Sequence, residues 1–324
     1  GLLILMNTIS LPRLAGEMRL QGSRTTRLLC SAAARRSLST GQFVEVEGAR
    51  LWVVENGPSE PSGGAAARLP IVCMPGALGT AETDFAAQLD ADSGLASTHR
   101  VISFDPRGYG RSRGPYTRSG DGSAATTPTR EFLPGFYRRD ADDVAELMAS
   151  LGVPRYHVVG WSDGAIAATM LAAIRPAHVA ALATFGGNAY LTPLDIEGFE
   201  ATRDIATGWS KRMRASLTEV YGDELQPMWS AACDAWARIV TVDGGDVCRA
   251  EAAQIECPTL ILHGEKDPMV LREHPQYFAH AIPGHVETHY FAEGKHNVHQ
   301  RFAGEFNEVV RAHFDAVDGV SSSS

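Results

Sequence analysis

Residues 156–174 read Tyr156-His157-Val158-Val159-Gly160-Trp161-Ser162-Asp163-Gly164-Ala165-Ile166-Ala167-Ala168-Thr169-Met170-Leu171-Ala172-Ala173-Ile174. A short run with two valines stops at a glycine, and an alanine-rich apolar segment opens shortly after. The pattern predicts a strand over Tyr156–Gly160 and a helix over Ile166–Ile174. Between them lies Gly160-Trp161-Ser162-Asp163-Gly164, a G-x-S-x-G. A sharp strand-to-helix turn forces its serine into a strained backbone, and glycines on both sides relieve the crowding. Three fixed positions in five recur by chance. The strand before and the helix after are what mark Ser162 as a nucleophile.

Outward from this turn the same alternation continues. Apolar runs at Leu69–Met74, Arg100–Phe104, Ala180–Phe185, Thr259–His263 and Glu287–Phe291 read as strands, and Phe43–Val54 as a β-hairpin turning at Glu47-Gly48. Val144, Leu147, Met148 and Leu151 fall at helical spacing. Strands alternating with helices imply an α/β fold with a mostly parallel central sheet and helices on its faces. Residues 41–187 and 249–318 carry this pattern. Residues 188–248, with Trp209, Trp229 and Trp236, read as helices without an intervening strand, an inserted lid. Thr117–Arg130 is rich in Gly, Ser and Thr and reads as a mobile excursion, and 319–324 as a disordered tail.

A serine hydroxyl needs a base to take its proton, and the base needs an acid to fix its tautomer. His263-Gly264-Glu265-Lys266-Asp267-Pro268 leaves a predicted strand at its carboxyl end, where sites of such sheets lie, and makes Asp267 the orienting acid with Glu265 its rival. Glu293-Gly294-Lys295-His296-Asn297 follows the last strand and makes His296 the base, with His299 its rival. His263 and His289 sit in or beside strands. Oxyanion donors are expected from the backbone N–H of Asp163, after the nucleophile, and of Ala77 in Pro75-Gly76-Ala77-Leu78-Gly79, Leu78 being the alternative. Asp105-Pro106-Arg107-Gly108-Tyr109-Gly110-Arg111-Ser112 reads as a structural turn held by Asp/Arg hydrogen bonds.

Asp163 stands out because an anion beside the nucleophile opposes the charge that builds in the transition state. At about 5 Å and an effective dielectric of about 20 that opposition is roughly 3 kcal/mol. Two readings are open: the carboxylate complements the N-terminal dipole of the helix that follows, or it pairs with a substrate ammonium and so selects amino-acid esters.

The formal charge of −9, with 44% hydrophobic and 21% charged residues, describes an ordinary globular chain without the basic face that nucleic acid or anionic membrane requires. No apolar run reaches the roughly 18 residues of a membrane span. Five cysteines without Cys-x-x-Cys or metal-like spacing read as free thiols, and no metal or cofactor is expected. The first forty residues hold Arg13, Arg19, Arg24, Arg27, Arg35 and Arg36 against the single acid Glu17, the composition of an organellar transit peptide.

Taken together, Glu82-Thr83-Asp84-Phe85, Trp161-Ser162-Asp163-Gly164, Gly187-Asn188-Ala189-Tyr190, His263–Pro268 and Glu293–Asn297 resemble the α/β-hydrolase superfamily and, within it, the valacyclovir hydrolase (biphenyl hydrolase-like) family, over about Phe43 to Phe314. The resemblance implies a cofactor-free serine esterase acting on α-amino-acid esters through an acyl-enzyme. It further implies that Asp163 binds the substrate's α-ammonium and that the chain is mitochondrial. A carbon–carbon bond hydrolase of the meta-cleavage type and a noncatalytic receptor share the fold. The former acts on anionic dienoates, which Asp163 would repel.

Overall fold

The computed structural model describes residues 41–58, 68–127 and 129–320. The expected transit peptide and residues 321–324 of the expected tail lie outside them. The chain opens as the antiparallel pair β1 (Gln42–Val46) and β2 (Ala49–Asn56), turned where Gly48 takes φ 70°. Then follow β3 (Ile71–Met74), α1 (Ala81–Phe85), β4 (Val101–Phe104), β5 (Gly114–Thr117), β6 (Ala124–Thr127), α2 (Phe136–Ser150), β7 (Tyr156–Trp161), α3 (Asp163–Ile174) and β8 (Val179–Phe185). Five helices come next: α4 (Pro193–Glu200), α5 (Ile205–Gly208), α6 (Lys211–Tyr221), α7 (Leu225–Val242) and α8 (Arg249–Ala252). The chain ends with β9 (Thr259–Gly264), α9 (Glu273–Ala281), β10 (Val286–Phe291), α10 (Val298–Arg301) and α11 (Ala303–Asp318).

Eight strands form one sheet in the order β1-β2-β4-β3-β7-β8-β9-β10, parallel from β4 to β10. Both faces are covered, which is why β3, β4, β8 and β9 are buried along their whole length and could be read as plain apolar runs. Alternation divides each strand between two cores. Val72, Met74 and Val158 pack with Val144, Leu147, Ile166 and Leu171 of α2 and α3; Ile71, Cys73 and Val159 pack with Phe85, Phe306, Val310 and Phe314 of α1 and α11. The chain runs from β3 outward to β4 and later returns to β7 on the other side of β3. This reversal opens a crevice at the carboxyl ends of β3 and β7.

Between β8 and β9 the described chain has its own core, built on Phe199, Trp209, Leu217, Leu225, Trp229 and Trp236. Its two ends are pinned together by the Tyr190–Asp246 bridge and by the Leu191 N–H to Gly245 C=O bond of 2.7 Å. Thr117–Arg130 carries structure that its composition does not announce. Much of it lies in the hairpin β5–β6, with Gly114 paired to Thr127, because Thr127 Oγ1 accepts the Arg50 N–H at 2.9 Å and Glu45 accepts the Ser119 N–H at 2.7 Å. Cys73, Cys233, Cys248 and Cys257 are free thiols, and no described helix is long and apolar enough to cross a membrane.

Candidate active site

Ser162 sits at φ 55°, a left-handed conformation that costs a non-glycine residue about 1–3 kcal/mol. Its neighbours enforce it. The Ser162 N–H donates to Phe185 C=O at 3.0 Å, and its own C=O receives the Ala165 and Ile166 N–H groups that start α3. A Cβ on Gly160 would lie 2.5 Å from the Gly164 carbonyl oxygen, and one on Gly164 2.0 Å from that of Met74. The glycines of the motif thus admit both the turn and the close pass of β3.

Asp267 and His296 come from the loops after β9 and β10, which are bound to each other by Lys266 N–H to Gly294 C=O at 2.8 Å and Glu265 N–H to Phe291 C=O at 3.0 Å. His296 Nδ1 lies 2.9 Å from Asp267 Oδ2. Asp267 Oδ1 accepts the Met269 and Val270 N–H groups at 2.8 and 3.1 Å. Burial works against ionisation of Asp267, but His296 and these hydrogen bonds outweigh it and hold the carboxyl below the usual carboxylate range. With Nδ1–H given to Asp267, Nε2 is left as the basic nitrogen. The Trp161 indole N–H donates to the His296 carbonyl at 3.0 Å, so the His296 backbone is tied to the residue just before Ser162. Among the described residues no hydrogen bond joins Ser162 to His296; such bonds commonly tighten only around substrate.

The rivals are placed elsewhere. Glu265 is exposed and pairs with Arg272 at 3.2 Å. His299 is buried among Phe85, Trp161, Phe185 and Phe306, and burial pushes its pKa down to about 3 although the Asp84 backbone pulls the other way. His263 is buried within β9, and His289 pairs with Glu305 at 2.9 Å.

In the loop after β3 most N–H groups are committed. Gly76 donates to Asp84 Oδ2 at 3.0 Å, Gly79 to Gly76 C=O at 3.0 Å, Thr80 to Thr83 Oγ1 at 2.8 Å and Ala81 to Asp105 Oδ1 at 3.0 Å. Among the described residues the Ala77 N–H has no acceptor, nor does that of Asp163 at the N-terminus of α3. The Leu78 N–H lies near enough to the Tyr109 hydroxyl to favour that group's ionised form. Leu78 is held at φ 61° by the Tyr221 hydroxyl, which donates to its carbonyl at 2.8 Å. Gly76 passes so close that a Cβ there would lie 3.1 Å from Ser162 Cβ.

Asp163 lines a cavity together with Met74, Gly76, Tyr109, Arg130 and Asp140 among others. Its charges do not cancel. Arg107 is held twice by Asp143, at 2.9 and 2.5 Å, and Arg130 twice by Asp140, at 2.7 and 2.6 Å. Asp163 is left over. Its Oδ1 accepts the Tyr137 hydroxyl at 2.8 Å, while Oδ2 is buried without a partner. Burial raises its pKa to about 6, although Tyr137 and Arg130 pull the other way.

Sequence reasoning missed Tyr137, Tyr221 and the role of Asp84, since nothing local distinguishes them; Trp236 was visible only as one of three tryptophans. The 105–112 turn does carry Asp/Arg hydrogen bonds, although not between Asp105 and the Arg107 side chain. Asp105 accepts the backbone N–H groups of Ala81 and Arg111, whereas Arg107 reaches Asp143 of α2.

Residues 71–309, which span β3 to α11 and every residue of this site, match the model of the Alpha/beta hydrolase family. The chain is 35% identical to the serine hydrolase BPHL of Homo sapiens over 283 residues, 86% of this chain and 88% of that protein. It is 37% identical to serine hydrolase BPHL of Mus musculus over 241 residues, 74% of this chain and 77% of that one. Among solved structures, a hydrolase from Pseudomonas aeruginosa PA01 matches with a TM-score of 0.60 at 24% identity, over 86% of this chain and 99% of that one, a likeness of fold alone. The chain belongs to the α/β hydrolase family and, within it, to the serine hydrolases represented by BPHL.

Proposed function

We propose that the chain cleaves small carboxylic esters through an acyl-enzyme and that α-amino-acid esters are its favoured substrates. Ser162 Oγ attacks the ester carbonyl as His296 Nε2 takes its proton, and Asp267 holds the ring and stabilises the imidazolium. The oxyanion meets the N–H groups of Ala77 and Asp163. Collapse breaks the carbon–oxygen bond, and the alcohol leaves with the proton from His296. Water then gives its proton to His296 as it attacks the Ser162 ester, and the acid departs as the serine is reprotonated.

The observation that carries the reading is Asp163: a buried carboxylate next to the nucleophile, with one oxygen unpartnered and both neighbouring arginines engaged elsewhere. An uncompensated charge in such a place is costly unless a ligand supplies the counter-charge. An ammonium on the carbon next to the ester carbonyl does so, whereas an anionic dienoate makes matters worse, which disfavours carbon–carbon bond cleavage.

The test compares kcat/KM for an amino-acid ester and its N-acetylated analogue in the parent and in Asp163→Asn. Preference for the free amine is expected to collapse in the variant; a preference that survives rejects cationic recognition. A burst of alcohol, absent in Ser162→Ala, separates an acyl-enzyme from mere ligand binding. Turnover retained by a folded Ser162→Ala would remove the nucleophile.

A further inference from the structure

The two oxygens of Asp163 are treated differently, and the difference originates in another part of the fold. Oδ1 accepts the Tyr137 hydroxyl at 2.8 Å, and that hydroxyl accepts the indole N–H of Trp236 at 3.0 Å. A phenol has one proton to give, and an indole can only donate. With Trp236 on its acceptor side, the Tyr137 proton is directed at Asp163. Tyr137 lies in the first turn of α2, Trp236 in α7 and Asp163 at the start of α3. The rings have little freedom: Phe136 packs on Tyr137 at 3.9 Å between centroids, and Phe199 and Trp229 pack on Trp236 at 4.7 and 5.3 Å.

We infer that Tyr137 is a specificity-determining positioning residue: oriented by Trp236, it fixes the Asp163 carboxylate and leaves Oδ2, the oxygen without a partner, to receive a substrate ammonium. The inference rests on the reading that Asp163 recognises that ammonium. Besides Tyr137, Arg130 and His296 favour its ionised form and Asp140 opposes it, and the Tyr109 hydroxyl and the Arg107–Asp143 pair line the same cavity. Tyr137 supplies the largest single counterweight to burial. Without its hydroxyl, Asp163 becomes harder to ionise, and the acid limb of activity toward an ammonium substrate moves up in pH.

The full chain, Tyr137→Phe, Trp236→Phe and Asp163→Asn are assayed with phenylalanine ethyl ester and with ethyl 3-phenylpropionate, the same ester without the amine. In Tyr137→Phe the ratio of kcat/KM between the two esters is expected to fall about tenfold, chiefly through KM of the amino ester, with its acid limb raised by about one pH unit. Trp236→Phe is expected to lower the same ratio by less. A ratio and limb unchanged in both variants overturn the inference, as does a loss shared equally by both esters, which is what a merely structural tyrosine would give. Asp163→Asn separates the two levels. If it keeps the parent's preference, ammonium recognition itself has failed; if it loses that preference while Tyr137→Phe does not, only the role of Tyr137 has failed.

Discussion

Gly186 offers the sharpest test of the base. It follows β8 at φ 63°, and a Cβ added there would lie 2.8 Å from His296 Cε1 and 3.1 Å from Nδ1. Carbon atoms in contact prefer about 3.5–4.0 Å, so in Gly186→Ala the ring must retreat by roughly 0.7 Å or more. It cannot do so freely, because Nδ1 is held by Asp267 and the backbone carbonyl by Trp161. A misplacement approaching 1 Å at a reacting group costs up to about a hundredfold, so kcat on an activated ester should fall about ten- to a hundredfold. Alanine at positive φ also carries roughly 1–2 kcal/mol of strain, which appears in stability and not in turnover. Gly152→Ala isolates that part, since Gly152 has φ 69° and no atom within 4 Å of an added Cβ. Initial rates and urea unfolding are measured for both variants. If Gly186→Ala keeps kcat within about twofold of the parent while losing the same stability as Gly152→Ala, His296 does not act from this position and the assignment of the base is wrong.

Three further outcomes are expected. Tyr221→Phe leaves the Leu78 carbonyl and the Gly110 N–H without their partner, at about 1–3 kcal/mol in urea unfolding, and loosens the loop that carries Ala77, so kcat should fall several-fold for charged and uncharged esters alike; an unchanged kcat would show that Tyr221 does not hold the oxyanion donors. Asp163 is raised from 3.8 to about 6 in the folded chain, so its stabilising protonated form is fully present below about pH 4 and lost as pH rises through 6. Asp163→Asn should therefore be more stable than the parent at pH 8, by up to about 3 kcal/mol, and lose that advantage near pH 4; the opposite trend in unfolding midpoints would contradict the charge state assigned to the site. Residues 1–40 fused to a fluorescent protein should deliver it to mitochondria, and a reporter that stays in the cytosol would rule out that address.

What the sequence could reveal depended on how local each signal was. Strands β3, β4, β7, β8 and β9 were readable because parallel strands buried on both faces are continuous apolar runs. Ser162, Asp267 and His296 share one end of the sheet because each follows one of its parallel strands, whose carboxyl ends all lie there. The positive φ of Leu78 was not, because leucine carries no sign of a left-handed turn; burial of its side chain and the Tyr221 hydroxyl impose it. Nor were the links Trp236–Tyr137 and Tyr221–Leu78 readable, which join positions 99 and 143 residues apart and use residue types that pass as ordinary core. The hairpin within the 117–130 excursion was not readable for a related reason. Its strands, Gly-Pro-Tyr-Thr and Ala-Ala-Thr-Thr, carry no apolar run, and the hairpin is anchored by Glu45 and Arg50, which come from another hairpin.

Those two long links divide the work of the site. Ser162, His296 and Asp267 are braced by the sheet and its own loops through Phe185, Gly264 and Gly294. The groups that would meet the oxyanion and the ammonium are braced by the helical segment between β8 and β9, through Tyr221 of α6 and Trp236 of α7. That segment has its own aromatic core, in which Leu217 and Tyr221 of α6 pack with Trp229 and Trp236 of α7, and it is clasped at its two ends. A shift of the segment would therefore disturb the oxyanion loop and Asp163 at once, whereas it meets the His296–Asp267 pair only through Met269, which packs on its core. On the proposed mechanism the two disturbances part in the kinetics. A displaced Ala77 N–H acts in the transition state and lowers kcat for every ester, whereas a displaced Asp163 weakens a contact already made in the bound substrate and raises KM for the ammonium ester alone. Substitutions on α6 and α7 can thus retune which esters are accepted without altering the groups that break the bond.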